Sequence, residues 1–155
     1  MAGEYKIEDL HLLKILRDKK DLEGTAYFEF HPRNLKSEYS SWNEGSIYLA
    51  DSGFDFFCDC FYRSNREFDY FAFCKYNGEE INRLVSELEE FMRVIQVEPS
   101  RSAVFSRYSG LFGKEMWDEV SEARINEALV LTGSDLVKFF KAAKNESGIL
   151  WVLGM

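Results

Sequence analysis

The sequence predicts an α+β fold, a single domain over residues 1–155 with a largely antiparallel sheet and helices packed on it. Three observations predict it. Short alternating or apolar runs bounded by turn residues recur along the chain, as strands do. One segment carries a long 3.6-residue apolar stripe, as an amphipathic helix does. The 14 Phe, 8 Tyr and 3 Trp of the 155 residues supply enough apolar surface for one ordinary core.

The elements follow in order. Ile7, Leu10, Leu13 and Leu16 stand at helical spacing, and the Asp21, Glu23 and Gly24 region ends that segment. Thr25–His31 alternates, with Phe28 and Phe30 on one side and Tyr27 and Glu29 on the other, and Pro32 stops the strand. A polar, turn-rich segment over Asn34–Gly45 leads to a short strand around Ser46–Ala50. Phe54–Tyr62 and Phe68–Tyr76 read as a hairpin. Period two puts Phe54, Phe56, Cys58, Cys60 and Tyr62 on one face, with Tyr62 opposite Phe68 and Cys58 opposite Ala72. Its reverse face would carry Asp55, Phe57, Asp59 and Phe61 against Asp69, Phe71, Phe73 and Lys75. Asn77 and Glu80 form a capping box for a helix whose stripe is Ile81, Leu84, Val85, Leu88, Phe91, Met92 and Ile95. Beyond Pro99 the chain reads as a strand over Ala103–Tyr108, a helix over Lys114–Ala123 and a strand over Ala128–Leu131. A helix capped by Thr132 or Ser134 and ending near Asn145 follows, and Ile149–Leu153 is a last buried strand.

Charge and cysteine usage narrow the environment. The net charge is −8, and residues 21–100 hold 16 acidic against 7 basic side chains, so the excess lies in the middle of the chain. Nucleic acid and anionic membrane are disfavoured as partners, because a phosphate surface needs Lys and Arg. A basic protein is favoured. Cys58, Cys60 and Cys74 are an odd set inside apolar stretches, which reads as reduced core thiols in the cytoplasm. His11 and Lys14 interrupt the first apolar segment, unlike a secretory leader.

No pattern carries recognisable catalysis. The Cys58-x-Cys60 pair lacks the four ligands and the spacing of a zinc site, so no metal and no cofactor are expected. Gly110–Glu115 has the wrong glycine spacing for a phosphate loop. His11 and His31 have no nucleophile or carboxylate at a diagnostic spacing, and surface or capping roles are expected for both. Catalytic residues are therefore expected to be absent.

Tyr27-Phe28-Glu29-Phe30, then Tyr39-Ser40-Ser41-Trp42-Asn43-Glu44-Gly45-Ser46-Ile47, the Phe-rich segment and the Asn77-Gly78-Glu79-Glu80 helix start lie within residues 25–95. This region resembles the small immunity proteins of bacterial polymorphic and contact-dependent growth inhibition toxin systems. The resemblance implies an acidic cytoplasmic inhibitor that blocks a toxin domain, often a basic nuclease, without chemistry of its own. Strand alternation and loop position nominate Glu38, Trp42, Glu44, Asp55, Asp59, Glu67 and Asp69 as one partner-binding patch. The competing classes are a small enzyme with a site built across the fold, and a ligand-binding or oligomerising module that uses an aromatic face.

Overall fold

The computed structural model describes residues 12–36, 41–97, 104, 107, 108 and 122–154. Four short strands, Tyr27–His31 (β1), Ile47–Ala50 (β2), Phe73–Tyr76 (β3) and Leu150–Leu153 (β4), pair in the order β2-β1-β4-β3. Every pairing is antiparallel. In chain order β2 leads into Asp51–Phe54 (α1) and Cys58–Ser64 (α2), β3 leads into Gly78–Val97 (α3), and Glu122–Glu146 (α4) precedes β4. The predicted α+β architecture is the one observed.

The register decides which residues share a face. Phe28 pairs Leu49, Phe30 pairs Ile47 and Val152, and Cys74 pairs Val152. All six are buried, and the helices pack on this side. Stacked Phe28 and Phe54 lie 3.7 Å apart, Phe30 meets Phe61 at 5.7 Å and Phe140 at 5.3 Å, and Phe57 meets Phe91 at 5.6 Å. Each fully buried Phe removes enough apolar surface from water to contribute roughly 1.5–3 kcal/mol.

The longest apolar stripe behaves as predicted. In α3 the Asn77 side chain accepts from the Glu80 N–H at 3.0 Å, and Glu80 accepts from the Asn77 N–H at 3.0 Å. Ile81, Leu84, Val85, Leu88, Phe91, Met92 and Ile95 are all buried. Helix α4 packs along α3, and Gly133 makes the approach close: a Cβ there would stand 2.8 Å from Met92 Sδ. Just past the end of α4, Gly148 is left-handed at φ 73°, as a C-terminal glycine commonly is, with its N–H on the Ala143 carbonyl at 3.1 Å.

Four segments differ from expectation. Residues 54–62 form no strand and no hairpin with 68–76. They fold as α1 and α2, because Phe54, Phe57, Cys58 and Phe61 also satisfy i, i+3, i+4, i+7 spacing. The sheet partner of β3 is β4 instead. Residues 128–131 lie inside α4, and so do Thr132 and Ser134, which therefore cap nothing. Thr132 is needed there because its hydroxyl donates to the Leu13 carbonyl. At Val104–Tyr108 the Tyr108 N–H bonds the Val104 carbonyl at 2.9 Å, a helical rather than a strand contact. The predicted first helix lies mostly outside the described residues, and at its end Leu16 makes an antiparallel bridge to Tyr48 instead.

No helix among the described residues is long and apolar enough to cross a membrane.

Candidate functional site

The aromatic surface is built by α1, α2 and the loop into β3. With the helical periodicity of 54–64, the residues at i, i+4 and i+7 are Asp55, Asp59 and Tyr62, which face away from the buried stripe. After α2, the Asn65 side chain accepts from the Glu67 N–H at 2.9 Å, and the Asp69 side chain accepts from the Phe71 N–H at 2.9 Å. Two successive Asx turns thus turn the chain away from the helix and put Phe71 outside. Phe71 is 75% exposed and Tyr62 48% exposed. The Tyr70 ring packs against Phe28 at 4.9 Å and Phe71 at 5.0 Å, and its hydroxyl donates to Asp55 at 2.8 Å.

Asp55, Tyr62, Tyr70 and Phe71 line a cavity of about 300 Å³. The Asp55 carboxyl is held above its ordinary value of 3.8 mainly by burial, against the Tyr70 hydrogen bond, with Asp51 adding to the rise. The Tyr70 hydroxyl is pushed up as well, first by burial and then by its bond to Asp55. The loop is fixed from the far end of the chain: Gly154 N–H bonds the Ala72 carbonyl at 3.0 Å, and a Cβ at Gly154 would stand 2.3 Å from the Tyr70 carbonyl oxygen.

The nominated partner residues fall into two groups. Asp55 and Asp69 flank this cavity, Asp59 is half-buried on α2, and Glu67 is exposed on the loop. Trp42 and Glu44 lie elsewhere. They precede Ser46, beside the His31 end of β1, whereas Asp55 follows Ala50, which pairs Tyr27 at the other end. About 13 Å of strand separates the two positions. Glu38 lies outside the described residues. Of the reverse-face phenylalanines only Phe71 is exposed, since Phe57 and Phe61 are core and Phe73 is half-buried.

Around Trp42 the structure holds a buried polar chain that strand alternation conceals. Glu29 is 1% exposed, where alternation places it on a solvated face. Its carboxylate accepts from the Trp42 N–H at 2.6 Å, the Asn43 N–H at 2.7 Å, the Asn43 side-chain amide at 3.0 Å and the Ser46 hydroxyl at 2.6 Å. The Ser46 oxygen lies 2.9 Å from His31 Nδ1. A hydroxyl has one hydrogen, and Ser46 gives it to Glu29, which assigns the imidazole proton to Nδ1. His31 is 4% exposed, so the expected surface or capping role does not hold. The order carboxylate–hydroxyl–imidazole buries Ser46 at 2% exposure between its two partners. A nucleophilic triad instead ends on an accessible hydroxyl. The chain's evident work is to clasp the 42–46 loop.

A cavity of about 700 Å³ is lined by Arg63, Arg66 and Arg83 beside the start of α3. Two of its cations are already engaged. Arg63 pairs with Glu87 at 3.7 Å and lies 4.5 Å from the Tyr108 ring centre, and Arg83 donates to the Ser64 carbonyl at 3.3 Å. The three cysteines are free and buried. Burial, then Asp55 and Asp59, pushes the Cys58 thiol up to about 12, and burial with Glu80 pushes Cys74 up to about 11. No group of three metal-ligating side chains occurs among the described residues.

Neither a protein-family model, nor a curated protein, nor a solved structure matches this chain.

Proposed function

We propose that the chain is a protein-binding inhibitor of the immunity type, which neutralises a basic bacterial toxin domain by direct contact in the reducing cytoplasm. The observation that carries this reading is Phe71, 75% exposed beside Tyr62 at the mouth of an aromatic cavity. Isolated exposed apolar residues are ordinary, but aromatic residues grouped around a cavity and rimmed by carboxylates have the composition of an interface centre. Asp55, Asp59, Glu67 and Asp69 supply the acidic rim, which steers a basic partner and suppresses acidic ones. Buried thiols with raised pKa values are slow to oxidise and suit a reducing compartment.

The test is co-expression with the toxin domain encoded beside this chain. The expected result is a stable complex that suppresses toxicity and is lost in a Tyr62→Ala/Phe71→Ala double variant of unchanged melting temperature. Full protection by that variant would move the interface away from this surface.

A further inference from the structure

We infer that the cavity between Asp55, Tyr62, Tyr70 and Phe71 is a receptor for a single arginine side chain of the bound partner, the guanidinium stacking on the aromatic rings and meeting the Asp55 carboxylate. The inference rests on the protein-binding reading and names the chemistry of its central contact.

The charge around the cavity is one-sided. The ionised side chains that act on Tyr70 are Asp55 and Asp51, and on Tyr62 it is Asp69. Asp55 has no cation within ion-pair distance among the described residues. A half-buried carboxylate that has lost part of its hydration and gained no counter-ion is a vacancy for positive charge. Its neighbours explain which cation fits. The Tyr70 hydroxyl donates to Asp55 Oδ1 at 2.8 Å, and Oδ2 accepts no hydrogen bond from the described residues. Tyr62 and Phe71 offer exposed ring surfaces, and the quadrupole of an aromatic face attracts a cation set against it. Lysine satisfies the charge alone. Arginine satisfies charge, stacking and a directed hydrogen bond together, because its guanidinium is planar and weakly hydrated. The volume of about 300 Å³ sits at the lower end of ligand cavities, the size of one side chain rather than of a cofactor.

The receptor is also pre-formed. Tyr70 is pinned by Phe28, by Asp55 and, through its own carbonyl, by the close approach of Gly154. Little ordering remains to be done on binding, so a weak local attraction survives as net affinity.

The experiment titrates the purified full chain with Nα-acetyl-argininamide and, separately, with its neutral isostere Nα-acetyl-citrullinamide, reading the ring resonances of Tyr62, Tyr70 and Phe71 by NMR. The expected result is saturable perturbation confined to these rings, with the arginine probe binding roughly tenfold more tightly than the citrulline probe. Asp55→Asn, which keeps the side-chain shape, removes that preference. Equal binding of both probes, binding of neither, or an undiminished preference in Asp55→Asn overturns the inference. The two readings fail separately. A toxin complex that needs Phe71 but is indifferent to Asp55→Asn sinks the arginine receptor and leaves the interface. A selective arginine site on a chain whose toxin complex ignores both substitutions sinks the interface and leaves the receptor.

Discussion

The Glu29 carboxylate receives the backbone N–H of Trp42 at 2.6 Å, and Trp42 is the one non-glycine residue among those described with a left-handed backbone, φ 60°. The two facts belong together. A bulky residue in that region is strained by roughly 1–3 kcal/mol, and it persists only when its surroundings over-determine it. Two adjacent N–H groups converging on one buried carboxylate do so. Packing of the Trp42 ring on Tyr48 at 5.7 Å holds the side chain against the strand.

Glu29→Gln is accordingly expected to destabilise the fold by about 2–3 kcal/mol, the range for a hydrogen bond to a buried charged acceptor. Glutamine has one acceptor oxygen where the loop presents donors to two, and with that oxygen placed on the Asn43 and Ser46 donors its amide hydrogens would oppose the Trp42 N–H. Urea unfolding measures it. A change under about 0.5 kcal/mol would show that the loop is held by the Trp42–Tyr48 packing instead.

Acid should loosen the same clasp through His31. Burial lowers the His31 pKa from its ordinary 6.5, the Glu29 charge opposes that shift, and Arg33 reinforces it. Lys36 and Glu44 line the same cavity beside the ring. The unfolded chain therefore takes up its proton first as the pH falls. The loss of stability from His31 grows from about pH 6.5 downward, levels off once the folded state protonates too, and is absent above about pH 6.5. Asp55, with a raised pKa, works the opposite way at lower pH, near and above 3.8. The urea midpoint of the native chain minus that of His31→Gln, followed from about pH 7.5 to 5, should fall on the acid side. A flat difference would mean that His31 titrates alike in both states.

The Phe71 surface separates rate from affinity. Phe71→Ala should raise the dissociation rate of the proposed toxin complex by an amount equivalent to about 2 kcal/mol, with association little changed. Neutralising Glu67 and Asp69 as Gln and Asn should slow association and flatten its salt dependence. Asn is the necessary choice at 69, because it keeps the acceptor that holds the Phe71 N–H. Stopped-flow binding at two ionic strengths reads both, and a salt slope untouched by the neutralised variant would remove the steering role.

Two glycines make contrasting demands. At Gly53 a Cβ would stand 2.0 Å from the Leu12 carbonyl oxygen, a backbone atom with nowhere to swing. Gly53→Ala should cost about 2–3 kcal/mol despite the gain in helix propensity. At Gly133 the obstacle is Met92 Sδ at 2.8 Å, on a flexible side chain, so Gly133→Ala should fall within about 1 kcal/mol of neutral. Thermal unfolding of the pair checks it, and equal losses would show that the α3–α4 contact is as unyielding as the backbone.

Legibility in the sequence tracked how far each segment answers to one rule. Helix α3 has a stripe and a capping box that agree, and β1, β2 and β4 are short apolar runs between turn residues. Residues 54–62 are apolar at so many positions that period 2 and period 3.6 both fit, and the contacts of Phe54 with Phe28 and of Phe61 with Phe140 favour the helix. Gly133 reads locally as a breaker, yet inside α4 it serves a neighbour forty residues away. The burial of Glu29 depends on a loop thirteen residues on, which alternation along β1 cannot register. Asp55 and Asp69 were legible as acidic neighbours of aromatic residues. Tyr62 and Tyr70 were not, because their exposure follows from the helical turn of 58–64 and from the Asp69 Asx turn.

Strand β4 is made after every other described element, yet it lies between β1 and β3 at the centre of the sheet. While a ribosome is still adding residues 150–153, the nascent chain holds only the β1–β2 hairpin, which alone is marginal in water, and an unpaired β3. Gly154, which fixes the loop beneath Phe71, is added later than every one of these elements. The aromatic surface around Phe71 is thereby completed only after residue 154 has been added. A chain released before residue 150 would present open strand edges instead of a finished surface, a hazard for self-association and a ready mark for cellular quality control.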